Sequence, residues 1–575
     1  MTGPVGSERG ARHIDRDWDV PSEIPVLIVG GGPVGLTTSL LLSHHGMSSL
    51  LVEQHPGTSI YPKARFINAR TMEIFRQLGI EAALRAVEIP ATRNVVWARS
   101  LAGDELARRP VETMIPEAVR AWSPTWGCTS TQETFEPVLL AEAQRRPSAS
   151  LRFHTQLLSF EQGDDHILGT LLDRSSGREQ QVRAQYLVGA DGAHSRVREA
   201  LDIRMDGEPV LTHSINILFR ADLSRWVRDR AINLCFITNQ EAAGLLLYNG
   251  ADRWRFTAFY FPERGERADD YTPERCLQIV RAALDLPDLP VELDGTFPWS
   301  DAALVAERFG DRRALLAGDA EHLMAPAGGF GMSVGIQNAH NLTWKLAAVL
   351  QAWGAPSLLA SYDAERRPIS RAMTEQMARN ALAARGAGRP TANAPAQSEP
   401  SPALGRPEFF REHGLVFGAT YATGALVPDG TPPVPVPNPV TDYAPTGRPG
   451  SRAPHVWLEY KDRRISTLDL FGRHVILLAG QEGHGWCEAA ERMAAARRVP
   501  LLPVHVTPDG EWRDPERAWA ASYGVEESGA VLVRPDGYVA WRSAGSSDDP
   551  EGELDVALAT ILGWLPPGAA GAVSS

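Results

Sequence analysis

Cysteine is scarce in this 575-residue chain: Cys128, Cys235, Cys276 and Cys487 are the only four, and they lie far apart. That excludes a disulfide framework and any Cys-x-x-Cys redox or zinc motif. No His and Cys cluster has metal-ligand spacing, so no metal is expected. Long apolar runs are lacking too; none reaches the roughly 18 to 20 residues that span a bilayer. Basic charge is in deficit, with 57 Lys and Arg against 70 Asp and Glu. The resulting net charge of −13 argues against a nucleic-acid footprint or a basic membrane patch. Residues 1–22 lack the apolar core of a signal peptide and read as a disordered tail on a cytoplasmic protein. What remains, 43% hydrophobic and 22% charged, is ordinary globular composition, long enough for two to four domains.

Glycine is clustered where it carries information. The uncharged run Val26 to Val29 suits a buried parallel strand and leads into Gly30-x-Gly32-x-x-Gly35. The first glycine permits a tight turn, the second lets backbone approach a pyrophosphate, and the third lets helix pack closely on strand. A helix predicted over roughly Val34 to His45 presents unpaired N–H groups to the phosphates. A second apolar strand, Ser49 to Val52, ends at Glu53, near the spacing of a ribose-hydroxyl acceptor. A carboxylate there repels a 2′-phosphate, so the site suits FAD or NAD rather than NADP.

Two later segments decide between them. Tyr186 to Ala190 reads as a buried strand stopping at Asp191-Gly192, and Ala314 to Ala317 as another stopping at Gly318-Asp319. Each puts an acid just beyond a strand's carboxyl end, where ligands bind in open α/β sheets. The run Ala327-Gly328-Gly329-Phe330-Gly331 then enters a helix. Its positive amino end suits the N1–C2=O edge of a flavin, which becomes anionic on reduction.

The order GxGxxG, ADGAHSRVR, LLAGDAEHLMAPAGGFG resembles class A FAD-dependent aromatic monooxygenases, the para-hydroxybenzoate-hydroxylase-like group. Within it, the chain is most similar to the aromatic polyketide hydroxylase and phenol-hydroxylase-type branch, from Ile24 onward. The resemblance implies that Gly30, Gly32, Val34, Gly35 and Glu53 hold the ADP part of FAD. It implies that the Asp191 motif serves FAD and transient NADPH or NADH, and that Asp319 holds the ribityl chain. Gly331, Met332 and Ser333 would lie beside the flavin ring, largely through backbone. Smaller matches place a catalytic Arg65 (in KARFINARTMEIFRQLGI) near the flavin, Gln132 (in TQETFEPVLL) on its side chain, and backbone near Leu157 against adenine. Three positions depart from the family pattern: Ser333 replaces the usual Asn, Asn338 the usual Asp, and Glu321 the usual Ala.

The implied fold is α/β: a GxGxxG Rossmann-like FAD domain (23–91, 129–205 and 300–385), an antiparallel-sheet substrate domain (92–128 and 206–299) and a thioredoxin-like C-terminal domain (455–575). Residues 386–454, rich in Pro, Ala and Gly, read as linker or ordered extended loop. In RWRFTAFYF, alternation puts Trp254, Phe256, Ala258 and Tyr260 on one face, read as core or as pocket wall. Trp122 and Trp126 are candidate pocket walls of the same kind, and His213 and Tyr248 lie on strands of this block without a clear role as base. A lone Cys487 excludes dithiol chemistry in the last domain. The implied reaction is NAD(P)H-driven monooxygenation of a polycyclic aromatic phenol or quinone by O₂, via a flavin C4a-hydroperoxide. Baeyer–Villiger or ring-rearranging oxidation, a non-catalytic flavin-binding partner and, from GxGxxG alone, an NAD-dependent dehydrogenase stay open, as does a homodimer.

Overall fold

The computed structural model describes residues 18, 20–89, 94–239, 241–387 and 411–565. Most of the expected N-terminal tail and the Ala/Pro-rich stretch 388–410 lie outside the described residues. The tail expected over 1–22 is shorter at its carboxyl end: Val20 is buried, and Trp18 Nε1 donates to Thr155 Oγ1 at 3.0 Å.

Five strands of the first sheet run parallel in the order Ala314–Leu316, Glu179–Gly189, Glu23–Val29, Ser49–Val52, Ala149–Arg152. Ser49–Val52 is buried throughout, as an uncharged strand covered on both faces must be. From Glu23–Val29 the chain moves outward to Ser49–Val52 on one side and returns later to Glu179–Gly189 on the other. That reversal opens a crevice at the strands' carboxyl ends, beside Gly30. Helices Pro33–His44 and Gly331–Leu350 pack together over the sheet.

The second sheet is ordered His322–Leu323, Glu292–Ala306, Met205–Arg220, Arg253–Tyr260, Gly244–Tyr248, Ile232–Ile237, Asn94–Ala98, Glu105–Pro110. It was expected to be antiparallel, and one pair corrects this: Ile232–Ile237 runs parallel to Asn94–Ala98. Helix Pro273–Leu284 covers one face, burying Trp254, Phe256 and Ala258 with Ile215, Ile217 and Phe219. The aromatic stripe is therefore core, and Arg255 on the opposite face reaches the Pro62 carbonyl at 3.1 Å.

In the C-terminal domain, parallel strands Val475–Ala479 and Leu501–Thr507 flank helix His484–Arg497. Antiparallel strands Ala530–Val533 and Val539–Ser543 and helix Pro550–Ile561 follow, giving thioredoxin-like topology. Cys487 sits buried in the first of these helices, and burial pushes its thiol up to about 11, so it is an inert core group.

Buried charge joins this domain to the first. Glu365, on helix Ala360–Ala387, accepts from Arg534 Nη1 and Nη2 at 2.7 and 2.8 Å, Lys345 Nζ at 2.8 Å, Asn341 Nδ2 at 2.6 Å and the Ala425 amide at 2.7 Å. Burial alone would raise its pKa; Arg534 and Lys345 overcome this and hold it at about 2. Residues 411–454 are an ordered loop threaded through this seam, with Phe417 and Tyr421 buried. Glu365→Gln should destabilise the folded chain by about 3–5 kcal/mol at neutral pH, since it strands buried cations. A depressed carboxyl contributes stability above its unfolded pKa and loses it as pH falls toward 2, so the deficit should shrink on acidification. Urea denaturation of both forms at pH 7 and pH 3.5 measures it.

Candidate flavin site

The glycine loop is dictated by contacts that admit no side chain. Gly30 has φ +110°, and a Cβ there would lie 2.2 Å from the Ala190 carbonyl oxygen. A Cβ on Gly35 would lie 1.9 Å from the Gly30 carbonyl oxygen. Gly32 differs: a Cβ would meet nothing within 4 Å, so the space above the loop is open where a pyrophosphate approaches. Val34 wedges between the motifs, since a Cβ on either Gly318 or Gly335 would come within 2.9 Å of its Cγ2. Glu53 Oε2 accepts from the Gly31 amide at 2.6 Å, and Oε1 from the His55 amide at 2.9 Å, which fixes the carboxylate at the loop's edge. Leu157 buries its side chain in the core; its strand is tied to the Glu53 carbonyl by the Thr155 amide at 2.8 Å.

Asp191 and Asp319 play different parts. Asp191 turns inward, accepting from Ser195 Oγ at 2.5 Å and the Val197 amide at 3.2 Å, and so shapes the turn into helix Arg196–Ala200. Asp319 is exposed although Gly318 and Ala320 beside it are buried. Its carboxyl is open on one side and crowded by protein on the others. The crowding raises its pKa to about 6, with Lys63 opposing. Gly331, Met332 and Ser333 form the first turn of helix Gly331–Leu350, which carries no acid there to occupy its free amides. Ser333 spends its hydroxyl on the Asn68 amide at 3.3 Å.

Gln132 clamps the segment bearing Arg65. Its amide donates to the Ala64 carbonyl at 2.8 Å, its Oε1 accepts from the Ala64 amide at 3.0 Å, and its Nε2 donates to Glu136. Arg65 donates through Nη1 to Asn233 Oδ1 at 2.6 Å, while its Nε and Nη2 are buried without an acceptor. Burial, and then the neighbouring Arg255, lower its pKa to about 9. Arg255 donates to the Pro62 carbonyl at 3.1 Å and leaves Nε buried without a partner. Among the described residues no carboxylate pairs with either guanidinium. Arg65 has no opposing acid and Arg255 only the nearby charge of Glu133, so the two buried cations side by side suit an anionic or electron-rich ligand.

Arg255 and Asn233 were not among the residues singled out from the sequence. The signal for Arg255 was available, because the alternation that buries Trp254 and Phe256 turns Arg255 to the other face. Beside Arg65, an apolar patch of Val95, Trp97, Val111, Met114, Phe66 and Phe236 lines that side of the sheet, with Trp97 and Phe236 stacked at 5.5 Å. Trp126 is held under Arg85 at 4.4 Å, and Trp122 packs against His413 and Tyr443. His213 is bonded to Ser300 at 2.8 Å, and Tyr248 packs on Trp254.

An open glycine loop, a helix start with free amides, an outward carboxylate and unpaired arginines together fit a dinucleotide with a flavin end. Residues 23–377 match the FAD binding domain model, and residues 446–564 match the aromatic-ring hydroxylase C-terminal model. The chain belongs to the FAD-dependent aromatic-ring hydroxylases. It is 39% identical over 567 residues to a putative polyketide hydroxylase of Streptomyces halstedii, covering 95% of this chain and 99% of that one. The solved flavin-dependent monooxygenase PieE, in complex with FAD and substrate, is similar with TM-score 0.89 and 34% identity, covering 94% of this chain and 99% of that chain. The ternary complex of aklavinone-11 hydroxylase with FAD and aklavinone matches with TM-score 0.83 and 35% identity, covering 95% and 100%. As a member of this family the protein is an FAD-dependent aromatic monooxygenase. Among the described residues, no helix is long and apolar enough to cross a membrane, and no group of His, Cys, Asp or Glu is set to hold a metal.

The glycine geometry separates binding from folding. Gly32→Ala should leave apoprotein stability unchanged while weakening FAD at least tenfold, because its methyl group enters only the open space above the loop. Gly35→Ala, driven into the Gly30 carbonyl, should instead lower the melting temperature of the apoprotein. Differential scanning fluorimetry paired with FAD fluorescence titration reads both.

Proposed function

We propose that this enzyme hydroxylates a polycyclic aromatic phenol or quinone of the polyketide type, consuming NADH or NADPH and O₂. The observation that carries the reading is Arg65, sunk beside Arg255 without a carboxylate and bordering the apolar patch of Trp97, Phe236 and Phe66. The relatives reported above, one named a polyketide hydroxylase and one solved with aklavinone, support the substrate class.

Each part of the chain has a stated task. The amides around Gly32 and the start of helix Pro33–His44 receive the pyrophosphate, Glu53 the ribose, and Asp319 the ribityl hydroxyls. The first turn at Gly331 to Ser333, with its free amides and no acid, would favour negative charge on a flavin held there. A flavin held by these residues would supply the activated oxygen, with NAD(P)H as the source of electrons. Arg65 and Arg255 would lower the pKa of a phenol bound beside them and so favour its phenolate, the proton passing to solvent before the site closes. The sheet face bearing Val95, Met114 and Phe236 excludes water and holds a flat ring against the guanidinium.

Arg65 should govern turnover more than flavin affinity. Arg65→Ala is expected to purify yellow yet lose about 2–4 kcal/mol of transition-state stabilisation, roughly 10²- to 10³-fold in rate. Arg65→Lys should recover little, because a point charge cannot reproduce the planar fork. NAD(P)H oxidation, peroxide release and product mass with a panel of polycyclic phenols test this. A gain of one oxygen with the carbon skeleton intact supports hydroxylation; ring expansion or cleavage points to Baeyer–Villiger or rearranging chemistry; a wild-type protein that oxidises no NAD(P)H with any substrate sinks the enzymatic reading.

A further inference from the structure

Two of the positions that depart from the family pattern meet in the interior. Glu321 directly follows the turn Gly318–Ala320 that carries Asp319, and Asn338 lies on the long helix Gly331–Leu350; both are fully buried. The Asn338 amide nitrogen donates to Glu321 Oε1 and to Ser370 Oγ, the latter at 3.1 Å. Its amide oxygen accepts from Nε of Arg366. One amide thus bonds a carboxyl on one side and a guanidinium on the other. Arg366 is buried, donates through Nη1 to Tyr421 Oη at 3.3 Å, leaves Nη2 without an acceptor, and has no carboxylate within ion-pair distance among the described residues.

The second carboxyl oxygen constrains the protonation state. Tyr362 Oη lies 2.7 Å from Glu321 Oε2 and 2.8 Å from the Leu316 carbonyl oxygen. A phenol has one proton and a carbonyl can only accept, so when Tyr362 donates to Leu316 the proton between Tyr362 and Glu321 must come from the acid. Burial pushes the same way and holds the Glu321 carboxyl up at about 8, against the pull of Asn338, Tyr362 and Arg366. The other charged or titratable groups around the turn do not neutralise it: buried His322 is pushed down to about 3, and Arg198 donates to the Ala320 carbonyl at 3.2 Å. Main-chain bonds carry the effect to the turn itself, since the Glu321 amide donates to the Gly318 carbonyl at 2.9 Å and its carbonyl accepts from the Ala306 amide at 2.7 Å.

We infer that Glu321 and Asn338 form one positioning unit, an acid–amide pair bridging turn and helix, that sets Asp319 for the flavin side chain and in which the acid can be moved from turn to helix. Both side chains are enclosed by protein and act through the Gly318–Asp319 turn. A carboxylate at 338 would meet Arg366 directly, and a small residue at 321 would make room for it, so the transposed pair keeps one acid between turn and helix and replaces the amide-bridged contact to the guanidinium by a direct one. The inference rests on the FAD reading of the site.

The test uses full-length apoprotein titrated with FAD by fluorescence, with thermal melts of the same samples. Glu321→Ala should weaken FAD about tenfold, as expected for lost buried hydrogen bonds. Glu321→Ala combined with Asn338→Asp should return to within about threefold of wild type. Glu321→Gln, which can accept from Asn338 and donate to Tyr362 as the neutral acid does, should also stay within about threefold. A purely packing role predicts the opposite for the double variant, which has the same smaller side chain at 321 and should bind no better than Glu321→Ala. That result, or wild-type affinity in Glu321→Ala, or a large loss in Glu321→Gln, overturns the inference. If Glu321→Ala does not fold, the double and Gln variants decide it alone. Wild-type protein that binds no FAD would overturn the FAD reading instead.

Discussion

Everything in the molecule is hung on a buried carboxylate, Glu365. It receives two bonds from Arg534 of the C-terminal domain, one from Lys345 and one from Asn341 of the helix that begins at the flavin loop, and one from the backbone at Ala425. A charge so placed is tolerable only when all its partners are present together, so the three regions must assemble as one. A second buried pair, Arg452 on Glu73, repeats the arrangement between the loop that leads into the last domain and the helix following Arg65. The thioredoxin-like domain, whose one thiol is buried, thus takes part through Arg534 in holding the FAD domain's two long helices.

The same rule, that an interior charge must find its complement, reads differently around the flavin. There Arg65 has no acid beside it, Arg255 feels only the nearby charge of Glu133, and Arg366 bonds an amide and a phenol and leaves Nη2 without an acceptor. Unneutralised interior charge is destabilising for a scaffold and useful for a site, because it is relieved only by the ligand or by charge built up in the reaction.

Much of this was legible in the chain. Ser49 to Val52 and Gly244 to Tyr248 fall where alternation and apolar runs put them, and the three glycine-bearing motifs lie in order at the carboxyl ends of parallel strands. Periodicity shows which residues share a face and not what that face looks upon, which is why Trp254 and Phe256 read as either core or pocket while Arg255 between them went unremarked. Partnerships such as Arg65 with Asn233, or Glu321 with Asn338, join positions distant in the chain and leave no local trace. The departures at 321 and 338 were visible one by one; only folding makes them a pair.

The single parallel pair in the second sheet has a consequence for how such chains can recombine. Ile232–Ile237 is flanked by Asn94–Ala98, so this end of the second sheet is built by a segment inserted far upstream, within the first domain. Val95, Trp97 and Met114 come from that segment, while Phe236 comes from the main block. The apolar patch beside Arg65 is a composite of two stretches of chain separated by the second dinucleotide motif. Exchange of the 206–299 block alone between relatives would therefore bring a new half of the patch against an old one. Recombination that preserves this packing has to carry both stretches, which ties the 206–299 block to the inheritance of residues far upstream of it.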